Sequence, residues 1–368
     1  MSTIVVGLPE WAIYTDKYDA PQHSGRPDAC LSDPFVRINL QKQTREGTGM
    51  KLRLGLLVVL LATLPVLPAF AADDFPQRPL KIIVPFPAGA GPDNVARLVG
   101  QHLQDAFGQT VLIENRAGAL GSIGAQEVAR SAPDGYTLLM GTNTTHASNV
   151  ATLKSLPYDP VKDFAPVIRT TTTAMVLLVN PKLAARDLPQ FLAYAKANPN
   201  LTAGYGSGAS QISIAQLQSR GGLSLIAASY RGVPQAMTDV MAGVIDLTFG
   251  DFSVAIPQME GGTLRGIAVT SAARNELTPG LPALAEAMPG FEATIWYGLF
   301  APAGTPEPVV SKLYAECAKY LAMPETRKKL ADVGVMVAPL APAEFGAFVR
   351  SEVVRWSAEV KAAGIQPQ

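Results

Sequence analysis

Histidine and cysteine are scarce in this chain, with 3 and 2 among 368 residues. Cys30 lies far upstream, which leaves Cys317 alone in the later chain without an intramolecular disulfide partner; it falls in an apolar helical pattern as a small buried hydrophobe. Two histidines, His102 and His146, and one cysteine cannot assemble the usual zinc set, so no metal and no other cofactor is expected. An excess of either charge is missing too. Thirty basic and thirty acidic residues cancel, which leaves no long-range field to gather nucleic acid or an anionic membrane. There is no Gly-x-Ser-x-Gly elbow and no phosphate loop ending in Gly-Lys-Ser/Thr, and Gly89-x-Gly91 lacks the third glycine of a dinucleotide fingerprint. With no nucleophile, triad or metal set, no catalytic residue is assigned and an enzyme is not expected.

What is present begins with a leader. In residues 50–72, Lys51 and Arg53 give a basic start, Leu54 to Leu64 an apolar core, Pro65 and Pro68 a break, and Ala69-Phe70-Ala71 a small-x-small cleavage site. The apolar core is too short to span a bilayer and no cysteine near the cleavage point could take a lipid. A soluble, exported, periplasmic protein of about 300 residues is expected. Residues 1–49 carry no sustained period of 2 or 3.6 and are broken by Pro9, Pro21, Pro27 and Pro34, as untranslated sequence or a disordered arm would be; Met50 is the expected start.

From Leu80 strands and helices alternate. Lys81 to Pro85, Val111 to Glu114 and Thr137 to Met140 read as strands, with a helix carrying Val95, Leu98, Val99, Leu103 and Ala106 on one face and a second at Ile123 to Ala129. This predicts an α/β fold with mostly parallel sheets. Phe164 to Val179 is a β-rich crossing. The pattern then restarts with helices at Asp187 to Asn198, Val233 to Ala242 and Phe252 to Met259, and strands at Ala203 to Tyr205, Leu225 to Ala228, Leu247 to Phe249 and Arg265 to Val269. Ile295 to Ala301 is the return crossing, and the remainder reads as helical: Glu307 to Met323, Glu325 to Ala331, Ala341 to Ala363. Two lobes, each a sheet flanked by helices and joined by two β crossings, make a clamshell: 73–175 plus 293–368, and 176–292.

The candidate site is a pair of small-residue loops. Phe86-Pro87-Ala88-Gly89-Ala90-Gly91-Pro92-Asp93 joins a strand to a helix whose proline and aspartate suit its first turn, so backbone amides point at the loop with few competing side chains, an arrangement that favours an anion. The same residues also suit a plain βα turn. Gly206-Ser207-Gly208-Ala209-Ser210 is the facing loop, its serines either donors to a ligand or caps of the next helix. His146, in the loop Gly141 to His146, is a possible lining residue; His102 lies near an apolar helix face as a boundary histidine.

At these loops the sequence resembles the Bug family, the substrate-binding receptors of tripartite tricarboxylate transporters. The resemblance is carried by Pro79 to Asp93, Glu114-Asn115-Arg116-Ala117-Gly118-Ala119, Ala132-Pro133-Asp134-Gly135-Tyr136-Thr137-Leu138-Leu139, Tyr158-Asp159-Pro160, Tyr194 to Pro199 and Gly298 to Pro306. It implies a type II periplasmic-binding-protein fold that closes on a small organic acid, held by main-chain amides, hydroxyls and waters rather than by an arginine. It implies Phe86, Ala88, Gly89, Ala90 and Gly91 as the first wall with Asp93 packing the turn, Asn143 and Thr145 in the third-strand loop, Ser207, Gly208, Ala209 and Ser210 opposite, and Tyr230, Arg231, Gly232 and Asp251 at the hinge side. Pro92 departs from the serine or threonine usual there, and Ile212 falls near a usual histidine in a helix polar at Gln216 and Gln218. Membrane permease subunits are the implied partners of a monomer; a sensor kinase is the alternative partner, and an exported enzyme the opposing function.

Overall fold

The computed structural model describes Phe75–Pro367; the leader expected at 50–72 and the stretch 1–49 lie outside the described residues. The chain opens with β1 (Leu80–Val84), α1 (Gly91–Phe107), β2 (Val111–Asn115), α2 (Ser122–Ala129) and β3 (Thr137–Thr142). A π turn, Thr144–Ser148, runs into the short α3 (Asn149–Thr152), and β4 (Phe164–Thr173) ends the first pass. The second lobe holds β5 (Met175–Val179), α4 (Leu188–Ala197), β6 (Leu201–Tyr205), α5 (Gly208–Gly221), β7 (Leu225–Ser229), α6 (Val233–Ala242), β8 (Leu247–Asp251), α7 (Phe252–Glu260) and β9 (Arg265–Val269). The chain returns through β10 (Ile295–Pro302), then α8 (Glu307–Ala322), α9 (Pro324–Asp332), β11 (Met336–Leu340) and α10 (Pro342–Ala362).

Two sheets result. One has the order β11-β4-β10-β3-β1-β2 and the other β7-β6-β8-β5-β9. Each is mixed, where mostly parallel sheets are expected from the βαβ pattern. β1 pairs in parallel with β2 and β3, and β6 with β7 and β8, whereas the crossing strands β4, β5 and β10 pair antiparallel with their neighbours. The parallel half comes from βαβ crossovers, and a strand that leaves one lobe for the other has no such constraint.

The first strand is apolar at every position but Lys81 because both sheet faces are covered: Leu80, Ile82, Ile83 and Val84 are fully buried. α1 carries Pro92 in its first turn and stops at Gly108, whose φ of 64° closes the helix in the left-handed region. α4 starts where the Asp187 carboxylate accepts from the Gln190 amide at 2.8 Å.

The two crossings are stitched side by side. Thr270 donates its amide to the Met175 carbonyl and its hydroxyl to the Ala293 carbonyl, both at 2.9 Å, and its hydroxyl accepts from the Met175 amide at 2.9 Å. A single residue, Ala174, separates β4 in one sheet from β5 in the other. β11 corrects the reading of the last segment as wholly helical. It is a half-exposed edge strand, paired only with β4 and carrying Pro339, so it lacks the clean alternation that marks a strand in sequence. Cys317 is buried in α8, where burial pushes its thiol up to about 12.

Candidate functional site

Where the lobes meet, the starts of α1, α5, α6 and the π turn surround a cavity of about 30 Å³. It is lined by Phe86, Ala90 and Pro92 at the first helix, Thr142, Asn143 and Thr144 at the third strand, and Gly206, Ser207 and Ala209 at the facing loop. Val233, Pro234, Asp251, Val254, Ile295 and Tyr297 complete it. Helix starts present amides and the positive end of the helix dipole, so their convergence favours an anionic group. No lysine, arginine or histidine is among the lining residues.

The first loop is held by Asp93. Its Oδ2 accepts from the Gly89 amide at 2.9 Å and from Arg97 Nε at 3.0 Å, and its Oδ1 accepts from Asn115 Nδ2 at 3.0 Å. Asn115 Nδ2 also donates to the Phe86 carbonyl at 3.0 Å. Asp93 therefore shapes the turn and spends its charge on Arg97, leaving none to oppose a ligand. Gly89 has a φ of 79°, which the turn requires, but Ala88 and Gly89 are exposed and stand outside the cavity wall. A Cβ at Gly89 would meet nothing within 4 Å, so its expected role as the point of close ligand approach gives way to a conformational one. Close approach falls instead at Gly91, where a Cβ would stand 2.7 Å from both carboxylate oxygens of Asp251 and clash with the Tyr297 hydroxyl.

In the third-strand loop, Asn143 is about 1% exposed, and neither Nδ2 nor Oδ1 of its side chain has a protein partner. That is an unsatisfied donor and acceptor at a cavity wall, a costly arrangement that a ligand would relieve. Thr145 and His146 point elsewhere. The Thr145 hydroxyl accepts from the Thr142 amide at 3.0 Å, and His146 stacks on Phe300 with centroids 3.8 Å apart, beside Phe164 and Trp296. Burial drives the His146 pKa down to about 3, so the ring is a neutral core aromatic rather than a lining residue. Asn143 stands at the N-cap of the π turn, whereas Thr145 and His146 lie within it.

Across the cleft, Ser207 and Ser210 form a reciprocal cap. Ser207 Oγ accepts from the Ser210 amide at 3.2 Å, while Ser210 Oγ accepts from the amides of Gly206 and Ser207 and donates to the Ser207 carbonyl at 2.9 Å. Ser207 lines the cavity; Ser210 is fully buried behind it, with its hydroxyl spent on the cap. Gly208 serves closure, its amide donating to Thr144 Oγ1 at 3.2 Å between the lobes, and a Cβ there would collide with Ser148. A second bond between the lobes joins Gln216 Nε2 of α5 to Glu359 of α10 at 2.8 Å. Ile212 is buried in α5.

At the hinge side the residues divide. Tyr230 donates to Asp239 at 2.7 Å and Gly232 packs on Pro87, both away from the cavity wall. Arg231 reaches the Ala117 carbonyl at 3.5 Å. Asp251 does line the cavity. Its Oδ1 accepts from the amide and hydroxyl of Ser253, at 3.1 and 2.5 Å, and it is hydrogen-bonded to Tyr297. Burial raises its pKa above the usual carboxylate value and, together with the Asp251 charge, holds the Tyr297 phenol well above its own. Among the lining residues missed from sequence, Thr142 and Thr144 belong to a loop already singled out and Tyr297 to the return crossing; Val233, Pro234, Val254 and Ile295 carry no signal beyond hydrophobicity.

His102 lies outside the site, stacked on Tyr320 at 4.5 Å. Among the described residues no group of three or more His, Cys, Asp or Glu side chains could hold a metal ion, and no helix is long and apolar enough to cross a membrane.

A clamshell of two mixed sheets with such a cavity at its hinge defines a solute-binding protein of the periplasmic type. Residues 95–365 match the profile of the Tripartite tricarboxylate transporter family receptor, and the chain belongs to that family. The Protein BugT of Bordetella pertussis is 32% identical over 318 residues, 84% of this chain and 97% of its own. Among solved structures, an R. palustris protein with adipate is 33% identical with a TM-score of 0.78, covering 80% of this chain and 100% of its own. MatC from Rhodopseudomonas palustris with bound malate is likewise 33% identical, with a TM-score of 0.74 and 78% and 100% coverage.

Proposed function

We propose that this chain is a periplasmic receptor that captures a small organic carboxylate in the cleft and delivers it to the membrane subunits of a tripartite transporter. The observation that carries the reading is the buried Asn143 amide, unpaired on both its atoms, in a cavity ringed by helix starts and free of basic side chains. A carboxylate there takes the Asn143 Nδ2 donor and the helix-start amides, and Ser207 contributes from the facing lobe. Each such bond to a charged acceptor is worth about 1.5 to 3 kcal/mol. The adipate and malate held by the two R. palustris proteins support the ligand class.

The lobes proposed to close on the ligand are 73–175 plus 293–368, and 176–292, turning about Ala174 and the stitched crossings. The protein acts as a monomeric carrier, and Asp251 and Tyr297 are the titratable groups at the wall. Export proceeds from Met50 through cleavage near Ala71. Mass spectrometry of ligand released from freshly purified mature protein tests the reading: a carboxylic acid is expected, and an uncharged or cationic ligand refutes it. Pull-down of the membrane partner decides for permease subunits over a sensor kinase.

A further inference from the structure

The cavity of about 30 Å³ is small against the ~10–15 Å³ that a single water occupies. Among its lining residues Asp251 is the one carboxylate, and there is no base. A ligand carboxylate in so small a space stands beside that of Asp251, within the ~4–6 Å over which one charge governs another's titration. The Asp93 carboxylate is spent on Arg97, but Asp251 has no such cation.

The elements around Asp251 hold one negative charge with neutral donors and bring nothing to offset a second. Ser253 gives its amide and hydroxyl and Val254 its amide. Tyr297 of β10 gives its phenol, which burial keeps protonated well above its usual range. The start of α1 approaches through Gly91, β5 sets Met175 opposite Asp251 and has no ionisable residue, and Asp239 of α6 is bonded to Tyr230. In the π turn, His146 is neutral and stacked on Phe300. Burial already raises the Asp251 pKa above the usual carboxylate value in the free protein. A second carboxylate in contact raises it further, because two such groups without a cation between them keep one proton for the pair.

Resting on the carboxylate reading of the cavity, we infer that ligand capture is coupled to a proton: the carboxylate enters as an anion, one proton follows from solvent, and Asp251 and the ligand hold it between them in an O–H···O bond. The bound pair then carries a single negative charge, which the helix-start amides and the Tyr297 phenol meet. Release at the membrane frees the anion and the proton together. Because the complex holds more protons than the free protein, affinity is highest at low pH. It falls by up to about 10-fold per pH unit as pH rises from the Asp251 pKa of the free protein to that of the complex.

Calorimetric titration of the mature protein with acetate, malate, adipate and benzoate between pH 6 and 8.5, where these acids stay ionised, tests the coupling. Repeating the titrations in buffers of different ionisation enthalpy counts the protons, and uptake approaching one proton per ligand is expected where affinity changes most steeply with pH. This count needs no variant. Affinity should fall by about 10-fold or more across the range, and Asp251→Asn should lose both the uptake and the slope and bind about 10-fold or more tightly than the natural protein at pH 8.5. Binding without proton uptake, or a slope that Asp251→Asn retains, overturns the inference and leaves the carboxylate reading standing. Failure of all four acids to bind overturns that reading, and the inference with it.

Discussion

Replacing His146 with leucine, close to imidazole in bulk, should flatten the acid side of the protein's stability profile. In the fold the ring is fully buried against Phe300, Phe164 and Trp296; Nδ1 meets the Thr145 hydroxyl at 2.9 Å and Nε2 has no partner. No carboxylate faces it, so a proton on the ring would bury an uncompensated charge, and the pKa falls from 6.5 to about 3. Between those two values the unfolded chain binds a proton that the folded one refuses. Stability from this group is therefore fully present above pH 6.5 and is lost as pH falls toward 3, at about 1.4 kcal/mol per pH unit. From pH 6.5 to 4.5 the loss is roughly 2.5 kcal/mol, or about 5 °C of melting temperature for a chain of this size. His146→Leu lacks this term, whatever packing it costs at neutral pH. Melts of both proteins across this range, read as the difference between them, isolate it from the carboxylates they share. Parallel profiles would mean that the folded protein protonates the ring as readily as the unfolded chain does, and the neutral core assignment would be wrong.

Other expectations follow from the same geometry. Gly91→Ala would set a methyl 2.7 Å from the Asp251 carboxylate and should weaken ligand binding by at least 10-fold, whereas Gly89→Ala meets no neighbour and should cost only about 1 kcal/mol of stability through its φ of 79°; equal effects in calorimetry would remove Gly91 from the closing surface. Burial penalises the charged form of Asp251, a penalty absent below the unfolded value of 3.8 and growing as pH rises above it, so Asp251→Asn should raise the melting temperature at pH 7 but not at pH 3.5. A lower melting temperature at pH 7 would show that the carboxylate is a net stabiliser. Cys317, buried with its thiol near 12, should stay silent to a thiol reagent in the native protein and react once it is unfolded; rapid native labelling would contradict its burial.

Much of the fold is legible because long apolar periods leave few alternatives. Arg265 to Val269 and Val233 to Ala242 are found at the boundaries read from sequence. β11 is hidden because an edge strand with Pro339 need not alternate, and strand direction is hidden because pairing across a crossing is set by tertiary contacts that periodicity does not encode. The site is legible as loops but not as faces. Ser207 and Ser210 read alike in sequence, and the capping geometry alone sends one to the cavity and the other behind it. Asn143, Thr145 and His146 likewise share a loop whose π turn separates them. The contribution of Tyr297 comes from β10 of one sheet and that of Asp251 from the end of β8 in the other, so only the meeting of the lobes brings them together.

The most direct test of the central claim is calorimetric titration of the mature protein with small carboxylic acids, each paired with its amide. A saturable isotherm for at least one acid, absent for its amide and weakened at least 10-fold by Asn143→Ala, is the predicted result. If no acid binds better than its amide, or if Asn143→Ala leaves the affinity of the best acid unchanged, the cleft is not a carboxylate site built on Asn143.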